Sequence, residues 1–148
     1  MFKGLGAYED AEARAASCIL AAPETGELYH NEGFVSSSTD IVFEAGAIPY
    51  ARYIKIYSGD AHVSSVFIHP NSSTTIHVPA GDYTFKSASG ELWFGETDMF
   101  GSDGDYYMFV FDGSNEVTHL DDNKIYTISL STEGGGNVGG KTVDRSSF

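Results

Sequence analysis

The tightest constraint on the fold is a period of two. Across residues 52–57 the chain alternates, with Ile54 and Ile56 on one side and Tyr53, Lys55 and Tyr57 on the other. That pattern gives a half-buried strand a distinct side chain set on each face, whereas an amphipathic helix repeats its apolar residues every three to four. Ser58, Gly59 and Asp60 supply a turn, and residues 62–69 return with Val63, Val66, Phe67 and Ile68, so the two runs read as a hairpin.

The same punctuation continues downstream. Pro70 to Ser73 marks a turn before a short strand at 74–78, and Pro79, Ala80, Gly81 and Asp82 turn the chain into a strand at 83–88. Ser89 and Gly90 lead into residues 91–94, and a polar, glycine-spaced loop follows at 95–105. Residues 106–111 are apolar on both faces, which predicts a strand covered on both sides. A short strand is expected at 116–118, turns at 119–123, and a last long strand at 124–131 with Tyr126, Ile128 and Leu130 inward. Upstream, Ile41, Val42 and Phe43 form one more β-prone run.

Turn signals at about 8–12 residue intervals between alternating runs predict an antiparallel β-sandwich of about seven to nine strands, not βαβ units. The sandwich domain is assigned to residues 40–148. Residues 1–39 form an extension, with a short helix at 8–22 whose Ala11, Ala15, Cys18, Ile19 and Ala22 share a face, then loop from 24 to 38. Five glycines within 133–140 predict a flexible connection, and the end of the chain an edge segment through Val143 and Phe148.

Composition narrows the partners. Eight Lys and Arg against 21 Asp and Glu give a formal charge of −13, which repels a phosphate backbone and argues against nucleic acid. The same charge argues against an anionic membrane surface, and no run of about 18 apolar residues is present to insert in a bilayer. Cys18, the single cysteine, excludes an internal disulfide framework and any cysteine-based metal cluster.

The string Val78, Pro79, Ala80, Gly81, Asp82, Tyr83, Thr84, Phe85 resembles the strand-turn-strand signature of carboxypeptidase-regulatory-like and PEGA-type β-sandwich modules. A longer order of residues, namely Tyr83, Lys86, Ala88-Ser89-Gly90, Trp93, Gly95-Glu96, Phe100-Gly101, Tyr106-Tyr107, Tyr126, Gly136-Asn137 and Phe148, is similar to an uncharacterised family of short bacterial domains. The resemblance covers about residues 50–148 and implies a C-terminal β-sandwich of Gram-positive type, extracellular or held at the cell surface. It implies no activity.

Several constellations could carry chemistry. Glu96, Asp98, Asp103 and Asp105, with Asp112 beyond, are the best metal candidates, since Ca²⁺ takes clustered carboxylates on a turning backbone; their spacing fits no EF-hand, and a solvated acidic loop is the competing reading. His62, His69 and His77 fall on neighbouring strands, so two could meet at a Zn²⁺ ion. No serine sits in a Gly-x-Ser-x-Gly elbow. Tyr53, Tyr57, Trp93, Phe94 and Phe100 are the candidate ligand-binding residues, because aromatics on a β face stack on sugars or anchor proteins; core packing of Trp93 is the alternative.

These features point to a non-catalytic module, extracytoplasmic or on a cell surface, that binds protein or glycan or acts as a spacer and needs no cofactor. The alternative is a hydrolase or metal-dependent site in the loop at 95–105. Edge strands with little lysine add self-association as a further expectation.

Overall fold

A computed structural model describes residues 21–110, 115–130, 139–143 and 148. Among the described residues ten strands run in chain order: β1 (Gly26–His30), β2 (Thr39–Ala45), β3 (Arg52–Ser58), β4 (Ala61–Ile68), β5 (Ser73–Val78), β6 (Gly81–Ser89), β7 (Asp105–Val110), β8 (Thr118–Leu120), β9 (Lys124–Leu130) and β10 (Gly139–Thr142). The described chain is all-β, relieved only by two short 3-10 turns, Glu32–Phe34 and Gly101–Asp103. The helix expected at 8–22 falls outside the described residues except for Ala21 and Ala22, which have no regular structure. Cys18, Asp112 and residues 133–138 of the expected flexible connection at 133–140 also lie outside them, while its last two glycines, Gly139 and Gly140, are not a connection but open β10 by pairing with β7.

The strands form two sheets. The larger has the order β1-β4-β3-β6-β7-β10, with β8 pairing β6 beside that path; the smaller is β5-β2-β9. All pairings are antiparallel except β2 with β9, which is parallel from Thr39 opposite Lys124 to Ala45 opposite Leu130. One flank of β6 is divided: Gly81 to Tyr83 face β8, and Lys86 to Ser89 face β7.

The expected hairpin is present as β3 and β4, with Ile54 opposite Val66 and Ile56 opposite Ser64. Its alternation sets the core. Ile54 and Ile56 join Val66, Ile68, Phe85 and Phe109 from the larger sheet and Ile41, Phe43, Ile76, Val78, Ile128 and Leu130 from the smaller in one buried cluster. Both sheets therefore spend one face on the same apolar interior, the main source of stability in a fold of this kind.

The opposite face of the larger sheet is covered over part of its area by the connection between β6 and β7. Trp93, Met99 and Phe100 from that connection pack on Tyr53, Phe67, Ala88 and Tyr106. The Trp93 ring sits 5.0 Å from Phe67, 5.2 Å from Tyr53 and 5.2 Å from Phe100, in edge-to-face contacts. Tyr106 fastens the loop by donating to the Gly101 carbonyl at 2.7 Å. Gly90 is required here, because a Cβ on it would lie 2.6 Å from the Phe100 Cβ.

Two local readings changed. The stretch at 24–38, read as loop, supplies β1, which pairs with β4 through an irregularity between Glu27 and Tyr29. The short strand expected at 116–118 forms at Thr118–Leu120, where Leu120 turns its side chain into the core beside β6. Residues 91–94 make a single bridge, at Trp93, which packs down onto the sheet.

Phe85 lies at the centre of the shared interior, 6.2 Å from the Phe43 ring and 6.0 Å from Phe109. Phe85→Ala is expected to lower the unfolding free energy by about 3–5 kcal/mol, while Val35→Ala, at a position 73% exposed, changes it by less than about 0.5 kcal/mol. Urea denaturation of the two variants checks both values.

Candidate functional site

The loop at 95–105 covers only one end of the larger sheet's second face. At the other end, among the described residues, the β3 alternation presents half-buried side chains. Tyr57 and Lys55 rise from β3 on this face, opposite His62 and Ser65 of β4 on one side and Thr84 and Lys86 of β6 on the other. Tyr29 of the edge strand β1 faces Ser65 and completes the row.

The rings in this row stand as a ladder. Tyr29 and His62 are stacked with centroids 4.8 Å apart and planes at 23°, and His62 and Tyr57 follow at 5.2 Å and 33°. These spacings match the distance between neighbouring strands, so the rings are upright with their faces against one another. What the row turns outward is a line of ring edges and polar tips. Tyr29, at the end, is 42% exposed. At the other end the Lys86 ammonium caps Tyr57, 5.1 Å from its ring centre.

Beneath the row runs a hydrogen-bonded chain. His62 Nε2 lies 3.1 Å from the Ser64 carbonyl oxygen and 2.8 Å from Ser65 Oγ. A carbonyl oxygen only accepts, so Nε2 carries the proton and Nδ1 the lone pair. The Tyr53 hydroxyl lies 3.2 Å from both Ser65 Oγ and Glu96 Oε1. A carboxylate also only accepts; when Tyr53 donates to Glu96, Ser65 donates to Tyr53 and accepts from His62. The chain ties the open row to the loop that covers the rest of the face.

Burial sets the protonation of these groups. It lowers the His62 pKa below its ordinary value, and the Lys55 charge lowers it further, against the opposing pull of the Ser64 carbonyl and Glu96. Burial raises the phenols of Tyr53 and Tyr57, which stay protonated donors at neutral pH. Lys55 is pushed down by burial; Glu96 opposes this and Lys86 reinforces it. The row thus combines phenol donors and an imidazole whose neutral form is favoured with the side chains of Lys55 and Lys86.

Ser65, whose Oγ meets His62 Nε2 at 2.8 Å, is fully buried.

The residues singled out from sequence are divided among three places. Tyr53, Trp93 and Phe100 are 1%, 5% and 4% exposed, and their rings are committed to packing. Tyr57 belongs to the open row. Phe94 lines a cleft of about 440 Å³ with Tyr50, Leu92, Asp98 and Asp105, and Phe100 also borders it. Glu96 is not with the other acids but bonded to Tyr53, and the Asp103 side chain is outside those described. Among the described residues no three His, Cys, Asp or Glu side chains converge as a metal site would require. The histidines also separate: His69 bonds the Pro23 carbonyl at 2.6 Å and His77 the Asp40 carboxylate at 2.7 Å.

Tyr29, Lys55 and Lys86 were not singled out from sequence, and His62 only as a metal ligand. The signal available for three of them was register. A tight turn at 58–60 sets His62 against Tyr57, and the same strand direction sets Lys55 against Lys86.

Scans of the chain against protein-family models, curated proteins and solved structures each gave no match. The His62 environment makes a pH prediction on its own. Because the folded pKa is below the unfolded value of 6.5, the stability tied to neutral His62 is fully present above pH 6.5 and is lost as pH falls through the folded value. His30 and His119, both raised, work in the opposite direction, so the comparison must isolate His62. The stability difference between the native chain and His62→Gln should shrink as pH falls below 6.5. Denaturant titrations across that range check it; a difference that stays constant or grows contradicts it.

Proposed function

We propose that the chain is a non-catalytic β-sandwich module that binds a glycan on the open end of its larger sheet. The observation that carries this reading is the Tyr29, His62, Tyr57 ladder with its outward line of polar tips. Sugars present hydroxyls that both donate and accept, together with apolar ring faces. A fixed row of phenols, an imidazole acceptor and ammonium donors answers the hydroxyls, and the outer face of Tyr29 on the edge strand is available to an apolar sugar face. The upright rings lock one another in place, so little conformational entropy is lost when a ligand settles on them.

An open sheet face suits a polymer that passes across it rather than a small molecule enclosed in a pocket. Such a role goes with an extracytoplasmic or cell-surface setting, where polysaccharide is encountered. The resemblance of the order running from Tyr83 to Phe148 to short bacterial domains supports that setting. Among the described residues no helix is long and apolar enough to cross a membrane.

Retention on immobilised polysaccharides (cellulose, chitin, xylan and pectin) tests the reading. The native chain should be retained on at least one of them. Tyr29→Ala and Tyr57→Ala should each weaken that binding about tenfold or more, the scale of losing one stacked aromatic, with cooperative unfolding preserved. Retention on none of the four, or variants that bind as well as the native chain, would contradict it.

A further inference from the structure

The connection between β6 and β7 does more than cover the sheet. With Tyr50, just before β3, it walls the cleft of about 440 Å³ that Phe94 and Phe100 border. Phe100 is buried there, while Tyr50 and Leu92 are 44% and 46% exposed, large apolar side chains that the described fold leaves uncovered. A second cleft of about 320 Å³, lined by Pro49, Ala51, Phe67, Pro70 and Trp93, adjoins the first, since Tyr50, Leu92 and Phe100 border both.

The larger cleft has a fixed shape. A Cβ on Gly90 or Gly104 would lie 2.6 or 2.7 Å from the Phe100 Cβ, and one on Gly101, whose φ is +70°, would lie 3.1 Å from the Phe94 ring. Backbone bonds close the loop: the Phe94 N–H donates to the Met99 carbonyl at 2.7 Å and the Gly101 N–H to the Asp98 carbonyl at 2.9 Å. A cleft held in this way loses little conformational entropy when it is filled.

Its charge has one sign. Apart from Tyr50, the ionisable side chains on its border are Glu91, Asp98 and Asp105. All three are exposed, and among the described residues none of them pairs with a basic side chain. They do not converge as the ligands of one metal ion would. Carboxylates spread around aromatic rings suit a larger cation, the planar guanidinium, which donates to carboxylates through its fork of N–H groups and stacks on ring faces. The smaller cleft is mainly apolar; His69 at its border is bonded to the Pro23 carbonyl at 2.6 Å. A chain of charge −13 also draws a cationic partner from a distance.

We propose that the two adjoining clefts bind an arginine-containing segment of a partner protein, with the guanidinium among Glu91, Asp98 and Asp105 and a neighbouring apolar side chain in the smaller cleft. This surface shares no residue with the Tyr29, His62, Tyr57 row and stands whether or not that row binds a glycan.

Fluorescence anisotropy with labelled pentapeptides tests it. The peptides read Gly-X-Arg-X-Gly, with Leu, Phe or Gly at X, and each has a counterpart in which citrulline, neutral and of nearly the same shape, replaces arginine. With Leu or Phe at X, the arginine peptide should bind about tenfold or more tightly than its counterpart, the scale of one charge-assisted hydrogen bond. D98N and D105N should each weaken binding of the arginine peptide by about twofold to fivefold, the range of an exposed charge pair, and leave binding of the citrulline peptide in place. L92A should reduce the advantage of Leu or Phe over Gly at X.

Equal binding of the arginine and citrulline peptides, or binding of neither, would overturn the proposal. D60N removes the same charge from an exposed turn between β3 and β4. A loss there as large as in D98N would assign the attraction to net charge and overturn the placement in the cleft. Binding of N-acetylargininamide as tight as that of the peptides would overturn the protein partner in favour of a free organic cation.

Discussion

The register that holds β6, β3 and β4 side by side governs the rest of the molecule. With Ile56 opposite Phe85 and Ile54 opposite Val66, one face of three adjacent strands is apolar and must be buried. Side chains alternate strictly along a strand, so this choice sends Tyr53, Lys55 and Tyr57 to the other face without further instruction. A slip of one residue would exchange the two sets and place charged lysines in the interior. The core and the row of Lys55 and Tyr57 are two consequences of one pairing.

That second face is itself divided. At the end near Tyr53 and Phe67 it is apolar, and the loop between β6 and β7 folds down to cover it with Trp93, Met99 and Phe100. Toward Lys55 and Tyr57 it turns polar, and the covering stops. The chain from His62 through Ser65 and Tyr53 to Glu96 crosses the boundary between the halves. A buried tyrosine whose ring serves packing and whose hydroxyl serves this chain couples the loop position to the orientation of the open row.

Much of this was legible in the amino-acid order, for a definite physical reason. The alternation from Arg52 onward and the glycine and proline turns between runs are local signals, and the strands they announce are present. β1 was missed because Gly-Glu-Leu-Tyr-His is short, shows no clean alternation and carries an irregularity in its pairing. The parallel pairing of β2 with β9 leaves no local mark, since it joins segments distant along the chain. The site follows the same division. Tyr57 could be read from its own strand, whereas the meeting of Tyr29, His62, Lys55 and Lys86 depends on which strands are neighbours. Trp93 was open to two readings because a lone tryptophan near a loop serves either a ligand or a core; the apolar rings of Phe67 and Phe100 beside it decide where it sits.

The central claim is the alignment of Tyr57 with His62 and of Lys55 with Lys86 on one exposed face. Nuclear Overhauser contacts test it most directly. The account predicts contacts from the His62 ring to both Tyr29 and Tyr57 rings, and cross-strand backbone contacts that pair Lys55 with Lys86. Absence of the ring contacts, or backbone contacts shifted by one residue along β3, would contradict it.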